Sequence, residues 1–247
     1  MPVLPLPDRM IGYRTDGDGP PVVLLAPLGF GPDIWQDVLP MLPQGFRILR
    51  PDLRGGRMGG LVRDAEALLD ALGLRGAVVV GAGIGGLIAQ GLAVKRLDLV
   101  RGLVLMTTAA RIPATRAWRT AQTGATDMGP LIGPIIERAF APAARRSEAA
   151  ARARALLAAC DPADYAAGAA AMEGTDFYTT TATLTLPTLV LSGSDDAVTP
   201  PDLVAETAGL IIGADHRMMR GSGHYPQLDA PEALADHLTG FLARIGH

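Results

Sequence analysis

One cysteine, Cys160, occurs in 247 residues. A lone thiol excludes an internal disulfide framework, and no CxxC pair is present to hold a metal or carry redox chemistry. Charge is also scarce: only 19% of residues are charged, and the formal net charge is −3. Disorder needs high charge with little hydrophobicity, whereas 49% of this chain is apolar, so a globular chain with a large core is expected. No basic block is large enough to follow a phosphate backbone, which argues against nucleic acid as a partner. No apolar run reaches the roughly 18 residues that a membrane span requires. The opening Met1-Pro2-Val3-Leu4-Pro5-Leu6-Pro7 has no basic segment and does not read as a signal peptide. The expectation is a cytoplasmic, enzyme-sized protein, monomeric or homodimeric, with no membrane partner and a small molecule as substrate or ligand.

Short apolar runs at 22–26, 46–51, 77–80, 103–106, 188–192 and 216–219 read as buried strands. Near-continuous Val, Leu and Ile without alternation suits parallel strands covered on both faces. Helical patterns follow at 32–42, 61–72, 84–96, 200–212 and 231–245, with Gly73 and Gly213 where helix C-caps belong. Alternation of this kind predicts an α/β fold, a doubly wound and mostly parallel sheet. It breaks between 112 and 186, where the chain is rich in Ala and Arg and its apolar residues recur at helical spacing. We read 1–111 and 187–247 as one core, and 112–186 as a helical lid inserted after the strand at 103–106.

Ligands bind outside the carboxyl ends of the strands in such sheets. Four loops at those ends carry the informative residues: Ala26-Pro27-Leu28-Gly29, Val80-Gly81-Ala82-Gly83-Ile84-Gly85-Gly86, Gly193-Ser194-Asp195-Asp196 and Gly221-Ser222-Gly223-His224-Tyr225-Pro226. The order of a strand-to-helix elbow, then an acid, then a histidine resembles the α/β-hydrolase fold. Within that fold the chain looks most like the 3-oxoadipate enol-lactonase branch of lactone and ester hydrolases. The likeness is carried by Ile84-Gly85-Gly86-Leu87-Ile88-Ala89-Gln90, Arg50-Pro51-Asp52-Leu53-Arg54-Gly55, Pro187-Thr188-Leu189-Val190-Leu191, Glu137-Arg138-Ala139-Phe140-Ala141-Pro142 and Asp164-Tyr165-Ala166-Ala167.

The family's elbow is G-x-S-x-G, and here it reads Gly81-Ala82-Gly83-Ile84-Gly85. Gly83, natural or engineered in place of serine, stands where the nucleophile belongs, and it has no group that can form an acyl-enzyme. The turn itself is retained, because glycine adopts strained backbone conformations at little cost. Gly81, Gly83 and Gly86 fit the spacing of a dinucleotide fingerprint, but the run lies beyond residue 80 and Asp98, the acidic residue that follows, precedes a strand and does not end one, so no cofactor is expected. Ser222 reads as a backbone cap, Cys160 as a small buried hydrophobe, and Ser192 and Ser194 as structural.

By the resemblance, His224 is the catalytic histidine, and family spacing selects Asp196 over Asp195 as its acid. The carboxylate would accept the Nδ1–H and leave Nε2 to move a proton. The backbone N–H groups of Leu28 and Ile84 would form the oxyanion hole. Trp118 and Arg119 lie in the lid where relatives place ligand contacts, while Arg54 and Arg57 read as structural. His216, His237 and His247 have no comparable context. Three readings remain open. One is a lactone or ester hydrolase scaffold that has lost its nucleophile. The second is an enzyme that uses Asp196–His224 as a general base without acylation: a lyase, isomerase, cyclase, decarboxylase or cofactor-free oxygenase. The third is a non-catalytic ligand-binding protein.

Overall fold

The computed structural model describes residues 1–247 apart from Asp8, Thr123 and Ala125, and among these eight strands form one sheet. They are β1 (Val3–Pro5), β2 (Met10–Asp16), β3 (Pro21–Leu25), β4 (Arg47–Asp52), β5 (Ala77–Ala82), β6 (Val100–Met106), β7 (Thr188–Gly193) and β8 (Asp215–Met219). Their order across the sheet is β1-β2-β4-β3-β5-β6-β7-β8. The β1–β2 and β2–β4 pairs are antiparallel and the rest are parallel. This is the α/β-hydrolase architecture the loop order implied. Strands β1 and β2, at the antiparallel end of the sheet, lacked a sequence signal because most of their residues are exposed or half-buried, so they carry no run of buried apolar side chains.

The helices are α1 (Met58–Ala71), α2 (Ile84–Lys95), α3 (Arg116–Gln122), α4 (Gly129–Ala139), α5 (Glu148–Ala158), α6 (Pro162–Glu173), α7 (Tyr178–Thr181), α8 (Pro201–Leu210), α9 (Pro226–Asp229) and α10 (Pro231–Arg244). The helix expected over 32–42 is instead two 3-10 turns, Pro32–Trp35 and Leu39–Met41. Pro40 and Pro43 remove backbone donors that a continuous helix would need. Among the described residues, no helix is long and apolar enough to cross a membrane.

Two features of this topology position the site. Strand β3 lies between β4 and β5, so the chain order reverses there, and the turns that follow β3 and β5 open side by side at the carboxyl edge. Helix α2 packs tightly beneath them: a Cβ on Gly85 would lie 2.6 Å from the Leu25 carbonyl oxygen, so only glycine fits that approach. The helices α3 to α7 leave the sheet after β6 and return at β7. Those two strands pair directly, Leu103 with Thr188, so the excursion does not open the sheet. Its helices start from side-chain caps, Ser147 accepting from the Ala150 N–H of α5 and Asp161 from the Ala163 N–H of α6. Buried Gln90 ties the return to the core: its amide donates to the Gly86 carbonyl at 3.1 Å and accepts from Thr181 Oγ1 at 2.5 Å.

Candidate active site

Strand β5 ends in a turn whose centre, Gly83, has φ 52° and ψ −117°. An L-residue pays for such a conformation, and the turn is held from both sides. The Gly83 N–H donates to the Met106 carbonyl at 3.2 Å, and the Gly83 carbonyl accepts from Thr108 Oγ1 at 2.7 Å. A Cβ built on Gly83 would meet Pro27 Cβ at 3.4 Å and His224 Nε2 at 3.6 Å, which are ordinary contacts. Packing therefore does not demand glycine here, and a side chain at this position would point at the imidazole.

His224 and Asp196 sit on the loops after β8 and β7 and are both buried, at 5% and 3% exposure. The imidazole Nδ1 lies 2.8 Å from Asp196 Oδ2. A carboxylate only accepts, so Nδ1 carries the proton and Nε2 presents its lone pair toward Gly83. The carboxylate is fixed by further donors: the Val198 and Thr199 N–H groups bond Oδ1 at 2.7 and 3.0 Å, and Thr199 Oγ1 bonds Oδ2 at 2.6 Å. Asp195 instead accepts from Ser194 Oγ at 3.1 Å, away from the ring. Ser222 does not cap backbone as expected. Its hydroxyl donates to Asp229 Oδ1 at 2.6 Å, and the Gly223 N–H donates to Oδ2 at 2.7 Å, which braces the histidine loop. Burial raises the Asp229 carboxyl above its ordinary value, while those two donors oppose the shift.

The excursion joins both loops. The Ala139 carbonyl accepts the His224 N–H at 2.8 Å, the Arg138 carbonyl accepts the Ala197 N–H at 3.1 Å, and the Arg138 guanidinium donates to the Ala197 carbonyl. The cavity over Gly83 is lined chiefly by apolar side chains, including Leu28, Ile84, Ile135, Met172 and Val198. Its empty space, counted out to the solvent, is about 410 Å³. Leu28 and Ile84 both line the cavity, and among the described residues neither backbone N–H has an acceptor.

Trp118 also lines the cavity beside Tyr165, whose hydroxyl pKa is pushed up by burial. Arg119 is exposed and does not line it, because the helix turns adjacent residues to different faces. The charged lining residue is Arg138, which sequence reasoning did not single out although it lies in one of the most family-like stretches. Tyr165, in another such stretch, was missed in the same way. Cys160 lies outside this cavity, and burial raises its thiol pKa to about 11, so it is protonated and unreactive at neutral pH. The cavity's hydroxyls, on Thr115, Tyr165 and Tyr225, make no hydrogen bond to the His224 ring among the described residues. No group of three or more His, Cys, Asp or Glu placed to hold a metal occurs among the described residues.

Residues 22–237 match the alpha/beta hydrolase family. The chain is 30% identical to the pimeloyl-[acyl-carrier protein] methyl ester esterase of Aromatoleum aromaticum over 239 residues, covering 87% of this chain and 95% of that one. A hydrolase from Pseudomonas aeruginosa superposes with a TM-score of 0.90 at 30% identity, over 98% of this chain and 97% of the other. The enol-lactonase from Burkholderia xenovorans LB400 superposes with a TM-score of 0.91 at 26% identity, over 98% and 100%.

Proposed function

The chain belongs to the alpha/beta hydrolase family, and from that premise we propose that it acts on a small carbonyl, lactone or ester compound through the Asp196–His224 pair as a general base, with no acyl-enzyme. The observation that carries this reading is the buried pair itself, held at 2.8 Å and aimed at a turn that bears no nucleophile. In this reading 112–186 is a lid that excludes bulk water, and the mostly apolar cavity strengthens the interactions inside it.

The chemistry follows from the groups present. A water between Nε2 and the substrate carbonyl gives a proton to Nε2 as its oxygen adds to the carbonyl carbon. The N–H groups of Leu28 and Ile84 hold the resulting oxyanion. Collapse expels the alkoxide, which takes the proton back from the imidazolium, so that ester plus water becomes acid plus alcohol. The same base can instead abstract a proton next to the carbonyl, with the enolate oxygen held by the two amides. Asp196 keeps the ring in one tautomer and stabilises the imidazolium in either case.

His224→Ala should lower turnover of a lactone or p-nitrophenyl ester panel by about 10²–10⁴-fold, the usual worth of a positioned base. Equal turnover by parent and variant would end the proposal. A second reading, a hydrolase scaffold that needs only its nucleophile, is favoured by the open space at Gly83. Gly83→Ser should then hydrolyse p-nitrophenyl acetate faster than the parent, and lose that gain when combined with His224→Ala.

A further inference from the structure

A second cavity lies behind the catalytic one, with Leu28, Ile84 and Tyr165 lining both. Its empty space, counted out to the solvent, is about 350 Å³. Its far side is made by Arg54, Gly55, Cys160 and Asp164. The partition closes against α6 at Gly168, where a Cβ would lie 2.5 Å from Leu28 Cδ1 and 3.6 Å from Ile84 Cδ1. Leu28 therefore packs its half-buried side chain against a bare stretch of helix backbone. Displacing Leu28 would join the two cavities into one elongated space.

Two charged side chains, Arg54 and Asp164, line the second cavity. Arg54 is committed to Asp52, its Nε donating to Oδ1 at 2.5 Å. Asp164 lines the cavity half-buried and makes no hydrogen bond or ion pair among the described residues. Burial raises its pKa first, and neighbouring Asp161 adds to the shift while Arg54 opposes it, so the carboxylate gains from any cation that reaches it. Cys160 contributes no charge at neutral pH.

We propose that this cavity is a distal subsite of the catalytic chamber, gated by the Leu28 side chain, and that it receives the far end of an elongated substrate as an ammonium group held by Asp164. The proposal rests on the reading of the first chamber as the place where a carbonyl is held, and its test needs no turnover. The probes are ω-aminoalkanamides of four to eight carbons, the alkanamides of equal length and the matching ω-carboxyalkanamides, titrated calorimetrically into the unmodified protein at pH 7.

At one or two chain lengths the ammonium compound should bind at least tenfold more tightly than its uncharged counterpart, with the carboxylate weakest. Asp164→Asn should reduce that ratio below threefold, and Leu28→Ala should move the best length upward. The subsite is overturned if no length shows an ammonium preference, if the preference survives Asp164→Asn, or if Leu28→Ala leaves the length profile unchanged. Failure to bind any of the amides also overturns it. If His224→Ala still lowers turnover of the ester and lactone panel while any of these negative results holds, the subsite fails alone and the catalytic reading stands.

Discussion

At Gly83 the chain meets two demands that usually fall on one residue: a positive φ and a reactive side chain. Here only the first is met. Gly85, two residues on, is glycine because the Leu25 carbonyl oxygen leaves no room for a Cβ, whereas at Gly83 the room exists and only the backbone angle favours glycine. Gly83→Ala should therefore cost about 1–3 kcal/mol of backbone strain with no steric clash. For a chain of this size, the midpoint of thermal unfolding should fall by roughly 2–4 °C per kcal/mol. A calorimetric scan showing no loss would mean that the turn relaxes, and the angle would then not explain the residue. Gly83→Ser should show the same loss together with its gain in esterase rate, separating the stability effect from the chemical one. Asp196 and His224 were legible from spacing, since each follows a strand end on a loop. Arg138 was not, because which side chain of a helix enters a cavity depends on the helix's rotation against its neighbours.

Elements are joined here by a few polar clamps. Arg96, just past the end of α2, donates to Glu66 and Asp70 of α1 and to Asp98, at 3.0, 2.7 and 2.7 Å. These bonds hold Asp70 and Asp98 below their ordinary values, Asp98 at about 2, while Glu66 is lowered first by Lys95 and then by Arg96. A carboxyl depressed on folding stabilises the fold above its unfolded pKa, and that stabilisation is lost as pH falls through the folded value. Arg96→Ala should thus lower the melting temperature most near pH 7, and the difference from the parent should vanish between the ordinary value of 3.8 and about 2. The loss should be small, because exposed ion pairs contribute little and are screened by salt. An undiminished difference at pH 2 would show that Arg96 acts through packing instead. The sequence's strand–helix alternation made α1 and α2 visible, but the helix expected over 32–42 failed where prolines broke an otherwise helical pattern into short turns.

Over the whole molecule, the order of strands decides which loops meet. The reversal at β3 and β5 sets Leu28 beside Gly83 and Ile84, and β7 and β8 bring Asp196 and His224 to the same edge. The excursion from β6 then bonds both acid and histidine loops through Arg138 and Ala139. Opening at that end would break the support of the histidine loop, so entry by displacement of Leu28 or of the α3 side conserves the Asp196–His224 geometry. The His224 amide, bonded to the Ala139 carbonyl, should accordingly exchange its hydrogen as slowly as amides of β6 and β7 in mass-spectrometric exchange. Rapid exchange there would show that this end of the excursion opens freely, and that the pair is assembled only in a closed state.

By itself, the sequence carried the class of fold and the absence of a hydroxyl at the elbow, while the family resemblance selected Asp196 and His224. These are properties of local pattern: apolar runs that must be buried, glycine where φ is positive, and polar residues at strand ends. Only the tertiary structure decided that the imidazole faces Gly83, that Arg138 rather than Arg119 reaches the cavity, and that Leu28 divides it from a second one bearing Asp164. Those facts depend on helix rotation and on contacts between segments more than 50 residues apart. Local propensity carries no information about either.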